Sequence, residues 1–384
     1  MTLRSPRTTP GIAPRYPEPP GRVGPTQGPR AREAQGIGGV RDRDRVAAII
    51  AGRRARQRRH AIASIMLGVV LVILFLGALM FGNTFYAPDE VFRVIAGQTV
   101  PGASFTVGEL RLPRAVLAVL AGLAFGIAGV CFQTLLRNPL ASPDIIGISD
   151  GAGAAAVIGI VVLSLNGPVV SALALVGALV TAALIYILSS KNGFAGTRLI
   201  LIGIGIAAML QSVISYVLSR AANWDIQTAM QWLTGSLNNA SWERVIPLAI
   251  AAGVVVPVML LQGRGLGAMQ LGDDSASGLG VRVNLTRILF ILGAVALLAF
   301  ATAATGPIAF VAFMAGPIAA RLTGPGANLL LPSALVGAVL VLGGDLIGQF
   351  AFGERYPVGV ITGVLGAPYL IYLLIRTNRS GGSL

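Results

Sequence analysis

The chain has 384 residues, 54% hydrophobic and 11% charged, with mean hydropathy +0.77 and formal net charge +14. A soluble domain carries about 25% charged residues and a transmembrane barrel alternates polar and apolar residues; the sequence does neither, which leaves an all-α integral membrane protein. The net charge is local: 14 of the 29 basic residues lie in residues 1–60, and the rest of the chain holds 15 basic against 11 acidic residues.

Residues 1–58 are rich in Pro, Gly and Arg and almost free of aromatic residues. Such a segment cannot bury a core and reads as a disordered, basic cytoplasmic tail, ahead of a membrane domain over residues 59–384. Its patch RRARQRRH (Arg53 to His60) reads as a positive-inside anchor at anionic headgroups. A spanning helix needs about 20 mostly apolar residues. That rule gives about ten spans, near 61–82, 114–135, 145–165, 168–190, 198–219, 246–262, 286–305, 307–321, 329–350 and 358–376. Between the second and third spans lies a polar seam, LLRNPLASPDIIGISDGAG (Leu135 to Gly153). Between the fifth and sixth lies Ala221 to Arg244, with all three tryptophans (Trp224, Trp232, Trp242) as interface anchors. The connection Gly263 to Asn284 places Asp273 and Asp274 at the start of a short helix, where acids meet the positive end of its dipole. With the tail inside and the spans alternating, 23 basic residues fall inside and six outside, so both termini are cytoplasmic. Spans two to five and seven to ten form two four-helix blocks. Arg114 opens the first from outside and Arg287 the second from inside, so the blocks are inverted repeats, as in many transporters.

The chemistry-bearing residues are few. One cysteine (Cys131) and one histidine (His60) exclude an intrachain disulfide and a His/Cys metal cluster. No phosphate-cradling G-x-x-x-x-G-K-[ST] occurs, so uphill transport would draw its energy from a partner or an ion gradient. Ser149 and Asp150 have no histidine beside them to complete a triad. No catalytic residue, metal or cofactor is expected. Acids inside spans are functional candidates by default, and Asp150 and Asp345 would form the relay of a proton-coupled secondary transporter. RLPR (Arg111 to Arg114) reads either as a helix start with headgroup contacts or as a cationic docking point for an acidic partner.

RLPRAVLAVLAGLAFGIAGVCFQTLLRNPLASPDIIGISDGAG, LGDDSASGLGV, GPIAFVAFMAGPIAARL, LLLPSALVGAVLVLGGD and PVGVITGVLGAPYLIYLL follow one another in this order. Together they resemble the FecCD-type permeases of ABC importers for iron–siderophores, haem and cobalamin, over about residues 60–376. The resemblance implies a ten-helix, type II ABC importer permease fold and a second permease subunit, identical or paralogous, sharing one translocation path. It also implies two cytoplasmic ABC ATPase subunits and an extracytoplasmic siderophore-binding protein. Arg111 and Arg114 would meet glutamates of that binding protein. Leu271, Gly272, Asp273, Asp274, Ala276 and Gly280 would couple to the ATPase. Gln133, Asn138 and Pro139 would stand near the cytoplasmic gate, with Asp150 in the same seam. Three departures stand out. SDGA replaces the usual SSGA at Asp150, and Gly316–Pro317 replaces a Pro-His pair. Gln349 stands four residues after Asp345, where a docking arginine is usual, which leaves Arg355 as the third docking candidate. The implied function is the non-catalytic permease subunit of a ferric siderophore importer in the cell membrane. Cobalamin or haem is the alternative cargo.

Overall fold

The computed structural model describes residues 30–189, 196–324 and 328–380; the first 29 residues of the expected tail and Lys191 lie outside them. Among the described residues every regular element is helical. The chain divides into two compact units, Met1–Arg54 and Ala55–Leu384. In the first, the residues from Arg30 onward begin helix α1 (Arg30–Met80), with Val46, Ile49 and Ile50 exposed. Residues 30–58 of the expected tail lie in this helix. The tail's prolines end at Pro29 and none follows until Pro88, so nothing removes an N–H from the helical ladder over that stretch.

In the second unit, α1 continues to Met80 and is followed by the amphipathic α2 (Pro88–Ile95), whose first turn is closed by Glu90 accepting from the Ala87 N–H at 3.0 Å. The short α3 (Ala103–Phe105) runs through a π-helical turn (Thr106–Arg111) into α4 (Leu112–Leu135). A 3-10 turn (Pro143–Ile146) leads to α5 (Ile148–Val157), which is prolonged by a π-helical turn (Ile158–Val162). Then come α6 (Gly167–Ser189), α7 (Gly196–Ser219), α8 (Asn223–Leu233), α9 (Trp242–Leu261), α10 (Gly263–Met269) and α11 (Asp273–Gly278). The chain closes with α12 (Val283–Thr305), α13 (Val311–Thr323), α14 (Leu330–Phe350) and α15 (Val358–Ser380). Among the described residues eight helices are long and apolar enough to cross a membrane; two shorter apolar ones, Ile148–Val162 and Val311–Thr323, complete the expected ten. Both short helices begin after a residue in the left-handed region, Gly147 (φ 89°) and Phe310 (φ 63°).

Helix α4 is the centre. Of its apolar window 78% is buried, against 6% for that of α1. Gly122, Gly126 and Gly129 explain how it gets there. A Cβ on Gly122 would strike the backbone of Gly337 and Ala338, one on Gly126 the backbone of Ser333, and one on Gly129 the backbone of Ala312. Gly122 and Gly126 have the small-xxx-small spacing that lets membrane helices touch backbone to backbone. Apolar contact gains nothing over lipid in a bilayer, so this close van der Waals packing is what holds the helices together.

The two four-helix blocks pack reciprocally. Helix α4 lies against α13 and α14, while α12 lies against α5 and α6. The first helix of each block therefore covers the second and third helices of the other, and in both blocks the second helix is the short one. Helix α1 is attached differently. Its Arg59 donates to the carbonyls of Leu322 (3.1 Å) and Arg321 (2.9 Å), and the His60 ring nitrogen meets the Asn328 carbonyl at 2.9 Å. A cation thus closes the C-terminal turn of α13, where carbonyls lack helical partners.

Replacing Gly129 by valine should destabilise the chain by roughly 1–3 kcal/mol or more, because the overpacked contact is backbone and cannot yield. Gly68, with nothing near its missing Cβ, should accept valine without loss. Thermal unfolding in detergent distinguishes the two.

Candidate functional site

Three polar places stand out against the apolar body. The first is a cavity of about 330 Å³ whose wall brings together Arg111, Arg114 and Arg355, the three expected docking residues. Their states differ. Arg111 donates to the carbonyls of Leu79 (2.8 Å), Met80 (3.0 Å) and Thr84 (2.7 Å) and lies 5.0 Å over the Tyr86 ring, closing the C-terminal end of α1. Arg114 grips Asp345 with two parallel bonds, Nε to Oδ2 at 2.9 Å and Nη2 to Oδ1 at 2.8 Å, and also reaches Asn238 at 3.0 Å. Asp345 is only 3% exposed at its side chain and takes a further bond from Gln349 at 2.7 Å. The glutamine that replaces the usual arginine therefore completes this carboxylate's shell. Arg355 is exposed and makes no ion pair among the described residues.

The second place is the seam after α4. Gln133, Asn138 and Pro139 line a cavity of about 300 Å³ with Gly316 and Pro317. Pro317 has no N–H, so the Phe313 carbonyl four residues earlier loses its helical partner. Gln133 Nε2 donates to that carbonyl at 3.0 Å in the protein interior. Gly316 leaves room for the amide, since a Cβ there would collide with it. The Gly-Pro pair and Gln133 are thus one device. Asn138 Oδ1 accepts from the Leu140 N–H at 2.9 Å and fixes the turn. Arg137, with φ 50°, aims its guanidinium at Asp273 (2.8 Å) and at the Met269 carbonyl (3.1 Å). Arg287, near the start of α12, holds the other oxygen of Asp273 at 2.6 Å. Among the expected coupling residues, Gly272 (φ 108°) and Gly280 (φ 84°) allow the tight turns on either side of α11, and Ala276 is buried. Leu271, Asp274 and the neighbouring Leu279 are exposed.

The third place is a cavity of about 710 Å³, walled by the 3-10 turn, α5, α7, α8, residues 307–313 and Leu370. Asp150 belongs here, apart from Gln133, Asn138 and Pro139, and accepts from the Gln211 side-chain amide. Asp144 faces the same space and takes hydroxyl bonds from Ser142 (3.1 Å) and Ser149 (3.0 Å); burial pushes its carboxyl above the usual carboxylate range. Gln211 and Asp144 are additions to the sequence reading. Gln211 was findable, since an amide amid TRLILIGIGIAAML in a spanning helix needs a polar partner.

Residues 69–376, most of the chain, match the FecCD transport family. The chain belongs to the FecCD transport family. Permeases of the FecCD family are non-catalytic transmembrane subunits of ABC importers. The ferric enterobactin transport system permease protein FepG of Escherichia coli (strain K12) is 38% identical over 84% of this chain and 98% of that protein. The Fe(3+)-citrate import system permease protein YfmE of Bacillus subtilis (strain 168) is 36% identical over 83% of this chain and 96% of that protein. A solved inward-facing structure of a metal-chelate type ABC transporter shares the fold, with TM-score 0.73 and 24% identity over 82% of this chain and 98% of that one. Family membership removes the secondary-transporter reading, and Asp345, bound into an ion pair, is no free proton relay.

Gln133→Leu should cost roughly 1–3 kcal/mol, the usual penalty for a buried carbonyl left without a donor. In a Pro317→Ala background, where the helix can supply its own N–H, the same substitution should cost clearly less. A double-mutant cycle on thermal stability in detergent checks this.

Proposed function

We propose that the chain is the permease subunit of an ABC importer for a ferric siderophore, lying in the cell (inner) membrane with both termini cytoplasmic. The observation that carries the cargo class is that relatives matched over more than four-fifths of this chain are permeases for ferric enterobactin, ferric citrate and iron(3+)-hydroxamate. The cavity of about 710 Å³ is one half of the translocation path. A second permease subunit, identical or paralogous, supplies the other half.

Two cytoplasmic ATPase subunits bind at Leu271–Gly280. Leu271 and Leu279 offer apolar knobs there, and buried Ala276 holds α11 against the body. When ATP closes the ATPases, α11 moves, and Asp273 carries the motion through its two ion pairs to the loop of Arg137 and the start of α12. The helices then rock about the path, opening it to one side at a time. An extracytoplasmic siderophore-binding protein docks at the arginine rim. Arg355 presents the free charge, while Arg111 and Arg114 hold the wall in shape.

The test is uptake of an iron chelate into vesicles holding the permease, its ATPase and its binding protein. Uptake should require hydrolysable ATP. Uptake that persists under a proton gradient with the ATPase inactivated would overturn the reading, and transport of cobalamin or haem in place of any iron chelate would move the cargo. Arg355→Glu should slow capture of the binding protein, most strongly at low salt where exposed charges are least screened. Arg114→Glu should instead reduce the yield of folded protein, because buried Asp345 would face a like charge. Association kinetics over a salt series and yield after gel filtration separate the two.

A further inference from the structure

The cavity of about 710 Å³ has a charge character that the two other cavities described above lack. Its wall carries the carboxylates of Asp144 and Asp150 and, among the described residues, no lysine, arginine or histidine. Beyond residue 60 basic residues outnumber acidic ones, 15 to 11, so composition does not force bases out of this wall. The two acids are not equivalent. Asp144 is turned onto the hydroxyls of Ser142 and Ser149. Asp150 is half-buried and accepts one bond, from Gln211 to Oδ1; its Oδ2 accepts no hydrogen bond among the described residues. The Gln211 amide, donated from the neighbouring helix α7, fixes the carboxylate on the wall. The cavity wall also carries Ile214, Leu218, Met230, Leu233, Phe310 and Phe313, with Ser215 and Thr234 among them. Apolar walls keep the local dielectric low, so the field of the carboxylate reaches across the cavity with little screening.

Taking this cavity as half of the translocation path, a premise that rests on the function proposed above, we propose that Asp150 is a charge filter. The path accepts ferric chelates of zero or positive net charge, of the tris-hydroxamate kind, and rejects polyanionic chelates of the tris-catecholate kind. Iron(III) held by three singly charged hydroxamates is neutral. Held by three doubly charged catecholates it keeps a triple negative charge, which must approach Asp150 after shedding water. Like charges juxtaposed in a desolvated contact change affinity by about tenfold or more. Carboxylate rings in cation channels select by the same physics.

The experiment uses the complete importer in vesicles and two probes, a neutral iron tris-hydroxamate and an iron tris-catecholate. Wild type is compared with Asp150→Asn, Asp150→Ser and Asp150→Glu. The same ATPase and binding protein serve every variant, so a change in the uptake ratio belongs to the permease. The neutral substitutions should raise the catecholate-to-hydroxamate ratio about tenfold, and Asp150→Glu should keep the wild-type ratio. A ratio unchanged in the neutral variants, or raised equally by Asp150→Glu, overturns the filter and leaves the importer reading intact. A second measurement needs no variant. The wild-type permease–ATPase complex in detergent, without binding protein, should bind the hydroxamate chelate about tenfold more tightly than the catecholate by tryptophan quenching. Equal or reversed affinities overturn the filter. Uptake of neither chelate by wild type, with cobalamin or haem carried instead, overturns the cargo assignment itself.

Discussion

In a hydrocarbon layer no water can take up a stray backbone hydrogen bond, so each N–H and C=O must find its partner within the protein. Much of the polar chemistry of this chain answers that constraint. Pro317 breaks the ladder of α13 at the Phe313 carbonyl, and Gln133 mends it from α4. Arg59 closes the end of α13, and Arg111 the end of α1. Three long polar side chains that sequence inspection would assign to gate, membrane surface and docking thus have a first duty to carbonyls. Their functional duties, where they have them, are performed from positions the backbone has already fixed.

The same logic separates the arginines of the rim. A buried carboxylate such as Asp345 is tolerable only when paired and fully hydrogen-bonded, and removing its partner is costly. Arg114 with two bonds, and Gln349 with a third, meet that demand. An arginine at position 349 would add a second positive charge to a pair that is already neutral. Glutamine supplies the donor without the charge, and the free cation of the rim is then Arg355, on the loop beyond α14. The departure at position 349 and the presence of Arg355 therefore have one electrostatic explanation.

The sequence made the ten apolar helices legible, because hydropathy over about 20 residues reports burial in lipid directly. The partnerships were not legible. Arg114 and Asp345 are 231 residues apart, and Gln133 and Phe313 are 180 apart. No local pattern records which helix faces which. Position 150 was marked as a departure, but its cavity depends on α7, α8 and the turn before α13, so its separation from Gln133 emerges only in three dimensions.

The arrangement of α4 also limits how the molecule can move. Its glycine face touches the backbones of α13 and α14, so these helices cannot slide past one another without opening a void or a clash. In the proposed mechanism, motion imposed at α11 leaves that core intact and appears at its edges. The ion pairs of Asp273 lead to two such edges, the turn after α4 and the start of α12. These are the end of one block's first helix and the beginning of the other's. In that mechanism a displacement of α11 pulls on both blocks at once. In the proposed mechanism α5 and α7 tilt around a rigid α4, and these are the helices that carry Asp150 and Gln211 into the cavity of about 710 Å³.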